Sequence, residues 1–185
     1  MLRRTMMAVM AIALIAFSGA SMAQSENCVL GVYTDTAGTV AYHVPILFST
    51  FDVYVVIHVE STVGGVAYTM QWPDHIFASA VSYGPNGLGI QVPGQGGLNI
   101  GLGECAIGFN GEAIVVAHYS AITAELAGPS SVDLGPNTDE DPTYPVFADC
   151  AQNLIPCFGV QSLVLDAVIG TEDRSFGAVK SLYGN

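Results

Sequence analysis

Positive charge is almost missing from this chain. Four Lys and Arg stand against 16 Asp and Glu, and the formal net charge is −12. Nucleic acid and anionic membranes are bound largely through Lys and Arg contacts with phosphate, so neither is an electrostatic match for this surface. Charge of either sign is also scarce. Only 11% of residues are Asp, Glu, Lys or Arg while 51% are hydrophobic, which excludes a disordered polyelectrolyte. The familiar catalytic strings are missing too. No H-E-x-x-H, H-x-H or G-x-S-x-G occurs, so neither a zinc peptidase nor an α/β-hydrolase site is written in the sequence. No C-x₂-C pair occurs and no His stands near a Cys at ligand spacing, which argues against structural zinc. The string G-L-G-E-C-A at 101–106 matches G-x-G-x-x-A, but no helical pattern follows it and no βαβ unit surrounds it.

Long apolar runs are absent except at the N-terminus. There, Arg3 and Arg4 precede an uncharged stretch from Met6 to about Phe17, and small residues at Ser21 and Ala23 suit a cleavage site. This pattern predicts a signal peptide at 1–23, cut after Ala23. Its apolar core is too short to cross ~30 Å of hydrocarbon as an anchor, so no membrane span is expected after cleavage. Cleavage would remove Arg3 and Arg4, leaving only Arg174 and Lys180 against all 16 acidic residues. The expected destination is outside the inner membrane: periplasm, cell surface or medium. The rest should fold as one domain at 24–171 followed by a tail at 172–185, where Phe176, Val179 and Tyr183 share a helical face.

Four cysteines remain in the exported part: Cys28, Cys105, Cys150 and Cys157. An even number in an exported chain predicts two disulfides, with three connectivities open. The short separation of Cys150 and Cys157 around Pro156 favours pairing these two, leaving Cys28 for Cys105.

What is abundant is β-branched and aromatic sequence cut by glycine. Residues 51–60 (FDVYVVIHVE) carry the strongest strand signal and are too β-branched to prefer helix. Residues 66–72 resume an extended pattern after Gly64-Gly65, which predicts a hairpin over 51–72. Asn110-Gly111 predicts a second hairpin over 104–123. Further strands are expected at 28–34, 88–92, 98–102, 131–134 and 159–169, with a turn at Asp35–Gly38 and a polar loop through 128–149. Many short strands without helical periodicity predict an all-β chain: a single antiparallel β-sandwich.

The order of these strands resembles cohesin-type and related bacterial immunoglobulin-like or carbohydrate-binding sandwiches. V-Y-V-V-I-H-V at 53–59 matches the Val-rich strand of that group. G-G-V-A-Y-T-M-Q-W-P-D at 64–74 matches its Gly-led strand ending in an aromatic and an Asp, and G-E-A-I-V-V-A-H-Y at 111–119 matches a later Gly-led strand. The resemblance spans roughly 50–170. Disulfides and the glycine-rich stretch 84–103 depart from the pattern. The chain also resembles uncharacterised secreted bacterial proteins that open like C-V-L-G-V-Y-T-D-T-A-G-T at 28–39 and close like S-F-G-A-V-K-S-L-Y at 175–183.

Candidate sites are few. His43, His58, His75 and His118 are scattered, as structural histidines are. Asp133, Asp139, Glu140 and Asp141 fall in one loop and offer the hard oxygen ligands that suit Ca²⁺, although no D-x-D-x-D-G string is present. No cofactor is required, and Ca²⁺ is the one metal this reading admits. Tyr68 and Trp72 share a strand face and could stack on a sugar, joined by Tyr54, Tyr83 or Tyr119. The expected function is a non-enzymatic, secreted binding or surface-assembly module recognising an extracellular protein or a glycan. A self-assembling surface protein and a secreted hydrolase are the alternatives.

Overall fold

The structure, a computed structural model, describes residues 28–93, 96–108 and 111–166. The signal peptide and the tail helix expected from the sequence lie outside the described residues. Thirteen strands and no helix occupy the described part. They are β1 (Val29–Tyr33), β2 (Tyr42–His43), β3 (Thr50–His58), β4 (Thr62–Gln71), β5 (Ile76–Tyr83), β6 (Ile90–Pro93), β7 (Leu98–Ile107), β8 (Ala113–Thr123), β9 (Ser130–Gly135), β10 (Val146–Ala148), β11 (Leu154–Pro156), β12 (Gly159–Gln161) and β13 (Leu163–Leu165).

One sheet has the order β12-β1-β3-β8-β5, antiparallel except where β12 lies parallel to β1. The other is built around β4, which pairs with β7 along Thr62–Tyr68, with β10 at Gly65–Ala67 and with β9 at Thr69–Gln71. Strand β11 flanks β10, β13 and β2 flank β9, and β6 flanks β7. The all-β expectation therefore holds, with two parallel pairs (β1–β12 and β2–β13) in an otherwise antiparallel sandwich.

Both predicted hairpins are overturned. Strand β3 pairs with β1 and β8, while β4 belongs to the opposite sheet. Strands β7 and β8 are likewise divided between the sheets. Each short connection crosses the sandwich rather than turning back within a sheet. The stretch expected as one strand at 159–169 also divides, with β12 in one sheet and β13 in the other.

The core lies between the sheets. Val53, Val55 and Ile57 of β3 point inward and are fully buried, and Val56, turned the other way, is fully buried beneath the turn at Gly38. The bulge at this point lies in β8, where Val116 is the extra residue, and it brings Val116 and Ala117 into the core together. Opposite them lie Val66 and Tyr68 of β4, Ile100 and Leu102 of β7, and Phe147 of β10, all buried.

The cysteines form two disulfides, but in the connectivity that sequence proximity disfavoured: Cys28–Cys157 and Cys105–Cys150, with Cα atoms 4.9 and 5.8 Å apart. The small hairpin β10–β11 is the reason. Cys150 lies in its turn, while Cys157 lies at its open end, where its N–H donates to the Pro145 carbonyl at 2.8 Å. The hairpin thus holds the two neighbours in sequence at opposite ends of itself.

Candidate functional site

Strand register lays out the outer face of the second sheet. Ile90, Gly101, Gly65, Ala148 and Leu154 form one row across β6, β7, β4, β10 and β11. Val92, Asn99, Ala67, Val146 and Pro156 form another, and the row between them holds Ile100, Val66 and Phe147, which are buried in the core. Because successive strand residues face opposite ways, the first two rows face out. The middle of the first row is Gly101, Gly65 and Ala148 and that of the second is Asn99, Ala67 and Val146, while the flanks stand higher: Ile90 is 63% exposed, Val92 48% and Leu154 53%. Small residues between large ones make a trough of about 220 Å³, also lined by Glu140. At Gly65 and Ala148 it meets a second depression of about 400 Å³ bordered by Glu104, Asp149 and Gln152.

Carboxylates therefore stand around the apolar floor. Asp149 accepts hydrogen bonds from the Asn153 side-chain amide at 2.8 Å and from the Ala151 and Asn153 N–H groups at 2.9 and 2.8 Å. Those donors, Asn153 first, hold its carboxyl below the usual carboxylate range. Glu104 accepts from the Asn86 side-chain amide.

A second concavity opens between β5 of one sheet and β6 of the other. It encloses about 510 Å³ and is lined by Trp72, Tyr83, Tyr119, Gln91, Thr69 and Met70, among others. Trp72 and Tyr119 meet edge to face with ring centroids 5.7 Å apart. The Tyr83 hydroxyl donates to Gln91 Oε1 at 2.6 Å. From His75 to Gly103 the chain carries no Asp, Glu, Lys or Arg, so this flank is uncharged in an otherwise acidic protein.

The residues singled out by sequence fare unevenly. Trp72 is half-buried at the cleft. Tyr68 is fully buried beneath it, with its hydroxyl 3.4 Å from that of Tyr119, so it presents no face to a ligand. Tyr83 and Tyr119 line the cleft; Tyr54 stacks instead on His118, ring centroids 4.6 Å apart.

Among the described residues no three His, Cys, Asp or Glu come together as metal ligands. The carboxylates are turned toward their own chain. Asp133 accepts from the Ser131 hydroxyl at 2.7 Å, Asp139 from the Gly96 N–H at 2.7 Å, and Asp141 from the Thr143 and Tyr144 N–H groups. Glu140 faces the trough.

All four histidines have local partners. His58 lies 3.2 Å from the Gly38 carbonyl and 3.1 Å from that of Gly111, and His75 lies 3.3 Å from the Ser130 hydroxyl. His118 bonds Asp52 at 2.9 Å, and His43 stacks on Phe51.

Sequence reasoning passed over Asn137 and Gln91. Asn137 is fully buried, donates to Asn99 Oδ1 at 2.8 Å and accepts the Asp139 N–H at 3.1 Å, so it ties the acidic loop to β7. The alternation Ile90-Gln91-Val92 is the signal that could have placed Gln91 on the inner side of an edge strand.

These features define a two-sheet sandwich with a recessed outer face and an uncharged flank. No protein-family profile and no curated protein matches the chain. Solved structures do. A non-cellulosomal cohesin from the hyperthermophilic archaeon Archaeoglobus fulgidus superposes with a TM-score of 0.53 at 11% identity, over 80% of this chain and 96% of that one. A type II cohesin domain from the cellulosome of Acetivibrio cellulolyticus gives 0.50 at 13% identity, over 75% and 94%. The chain is similar to cohesin domains in fold, as its strand pattern implied.

Proposed function

We propose that this chain is an exported, non-enzymatic protein-binding or assembly module whose docking face is the trough on β6-β7-β4-β10-β11. The observation that carries this reading is the trough itself: a largely apolar recess in which Gly65, Gly101, Ala67 and Ala148 leave room between larger side chains, with Glu104, Glu140 and Asp149 around it. Buried apolar contact supplies affinity, and a surrounding charge of one sign selects orientation and partner. The matching partner is a protein segment with apolar side chains flanked by Lys or Arg. The cohesin-like fold, shared with a domain from a cellulosome, supports an assembly role. Two disulfides support an oxidising destination outside the inner membrane.

The test uses the oxidised chain immobilised against envelope and extracellular extracts, beside Gly101→Val. A side chain at Gly101 has room, since its Cβ would lie 3.7 Å from Ile90 Cγ1, and valine suits a strand. Gly101→Val should melt at the same temperature or higher yet lose the captured protein, and capture by the parent should weaken with salt. Undiminished capture by Gly101→Val would remove the trough from consideration.

A second reading is self-assembly through the uncharged flank. Edge strands β5 and β6 both border it, and Phe77, Val81 and Ile90 are exposed there. Uncharged edges lack the usual protection against pairing with another chain. Light scattering across concentration separates the two readings: a constant monomer mass refutes self-assembly.

A further inference from the structure

We infer that the cleft between β5 and β6 is a second binding site, separate from the trough, and that it takes a neutral sugar unit. Three rings from two sheets converge there: Trp72 just after β4, Tyr83 at the end of β5 and Tyr119 on β8. The edge-to-face contact of Trp72 with Tyr119 makes an aromatic corner. Aromatic faces pack against the C–H faces of a pyranose and leave its hydroxyls to polar neighbours. Those neighbours are present. Gln91 uses Oε1 to accept the Tyr83 hydroxyl, which orients its amide and leaves Nε2 as a donor. Thr69 also lines the wall, with its methyl toward Gly97.

The lining holds no Asp, Glu, Lys, Arg or His, so an ionic ligand would be desolvated there without a counter-charge, which disfavours it. A neutral, ring-shaped, hydroxyl-rich ligand meets every condition of the lining. The volume of about 510 Å³ lies within the range of small-ligand sites. Apart from Trp72, just after β4, and Gly97, just before β7, the walls come from strands.

Trp72 is the sole tryptophan of the chain, so its fluorescence reports the cleft directly. The oxidised full chain would be titrated to millimolar concentrations with four neutral disaccharides: cellobiose, maltose, xylobiose and chitobiose. Digalacturonic acid would serve as an anionic control and Ala-Leu-Ala as an apolar peptide. The expected result is a saturable change in Trp72 emission with at least one neutral disaccharide and none with the two controls. Gln91→Ala should weaken that binding about tenfold, the loss expected for one hydrogen bond to the ligand. Ala80→Phe, which fills the cleft from β5, should abolish it with Trp72 still in place to report. Gly101→Val should leave it unchanged, which separates this site from the trough. The inference is overturned by the absence of a saturable change with all four sugars, by a response that survives Ala80→Phe, or by saturation with the peptide or the acid instead.

Discussion

The hydroxyls of Tyr68 and Tyr119 meet 3.4 Å apart, one from each sheet, under the floor of the aromatic cleft. Tyr68 is fully buried and Tyr119 nearly so. A buried hydroxyl without a partner costs more than a satisfied pair contributes. Tyr68→Phe or Tyr119→Phe should therefore each lower unfolding free energy by about 1–2 kcal/mol. The double substitution should cost clearly less than the sum. Urea denaturation of the four proteins measures this coupling, and strict additivity would show that the hydroxyls do not interact.

The same pair should govern alkaline behaviour. Burial, its largest cause, raises the Tyr68 pKa well above 10.0 and raises that of Tyr119 as well. A phenol whose pKa rises on folding adds stability below its unfolded value and loses it as pH climbs toward the folded value. Unfolding should thus set in above about pH 10, with the last phenolate absorbance appearing together with loss of the β-sheet circular dichroism. In the double Phe variant that late phase should vanish.

Disulfide contributions should rank by the loops they close. Cys28–Cys157 spans a sequence separation of 129 and Cys105–Cys150 one of 45. Chain entropy alone assigns about 5 and about 4 kcal/mol. Removing the first pair as Cys28→Ala/Cys157→Ala should cost about 1 kcal/mol more than removing the second. Denaturant midpoints decide the order, and equal losses would place the difference in native-state contacts.

Asn153→Ala should reset the acid titration of the trough rim. Without its side-chain donor, the Asp149 carboxyl rises toward the ordinary range. A depressed carboxyl contributes above its unfolded pKa and fades as pH falls through the folded one. In the variant, protonation therefore begins at higher pH. Carboxyl carbon shifts across an acid titration follow this directly; an unmoved Asp149 would mean the backbone donors suffice.

Asn137→Ala should loosen the acidic loop. It removes the donor to Asn99 Oδ1 from a fully buried site and one acceptor of the Asp139 N–H, at a cost of about 1–3 kcal/mol. Hydrogen exchange at the amides of Asp139, Glu140 and Asp141 should quicken while that of β3 follows only the global loss.

The strands were legible because burial leaves a period of two, as in Ile114 and Val116 turned inward on either side of Val115. Pairing was not. The linker between His58 and Thr62 is as short as a hairpin loop, and nothing local distinguishes turning back within a sheet from crossing to the other. That choice rests on contacts such as Tyr68 with Tyr119, distant in sequence. The cysteines misled for the same reason: proximity along the chain favours Cys150–Cys157, yet the β10–β11 ladder lies between them. A shared strand face does not say which residue lies at the open end: Trp72 lines the cleft and Tyr68 is buried beneath it. The trough left no linear motif, because its two rows draw on five strands.

Strands β1 and β12 lie side by side and parallel, and Cys28 is bonded to Cys157 at that edge. Tension entering the domain from its N-terminal side at residue 28 can leave at residue 157 through a covalent bond. The sandwich between those points is then bypassed, and only β12 and β13 remain to be peeled. Under mechanical load the oxidised domain should behave as a nearly inextensible link, and reduction should convert it into one that yields by releasing the intervening chain. A single-molecule extension trace before and after a reductant would show this as a jump in released length. That path for force is set by one sulfur–sulfur bond beside one parallel strand pair.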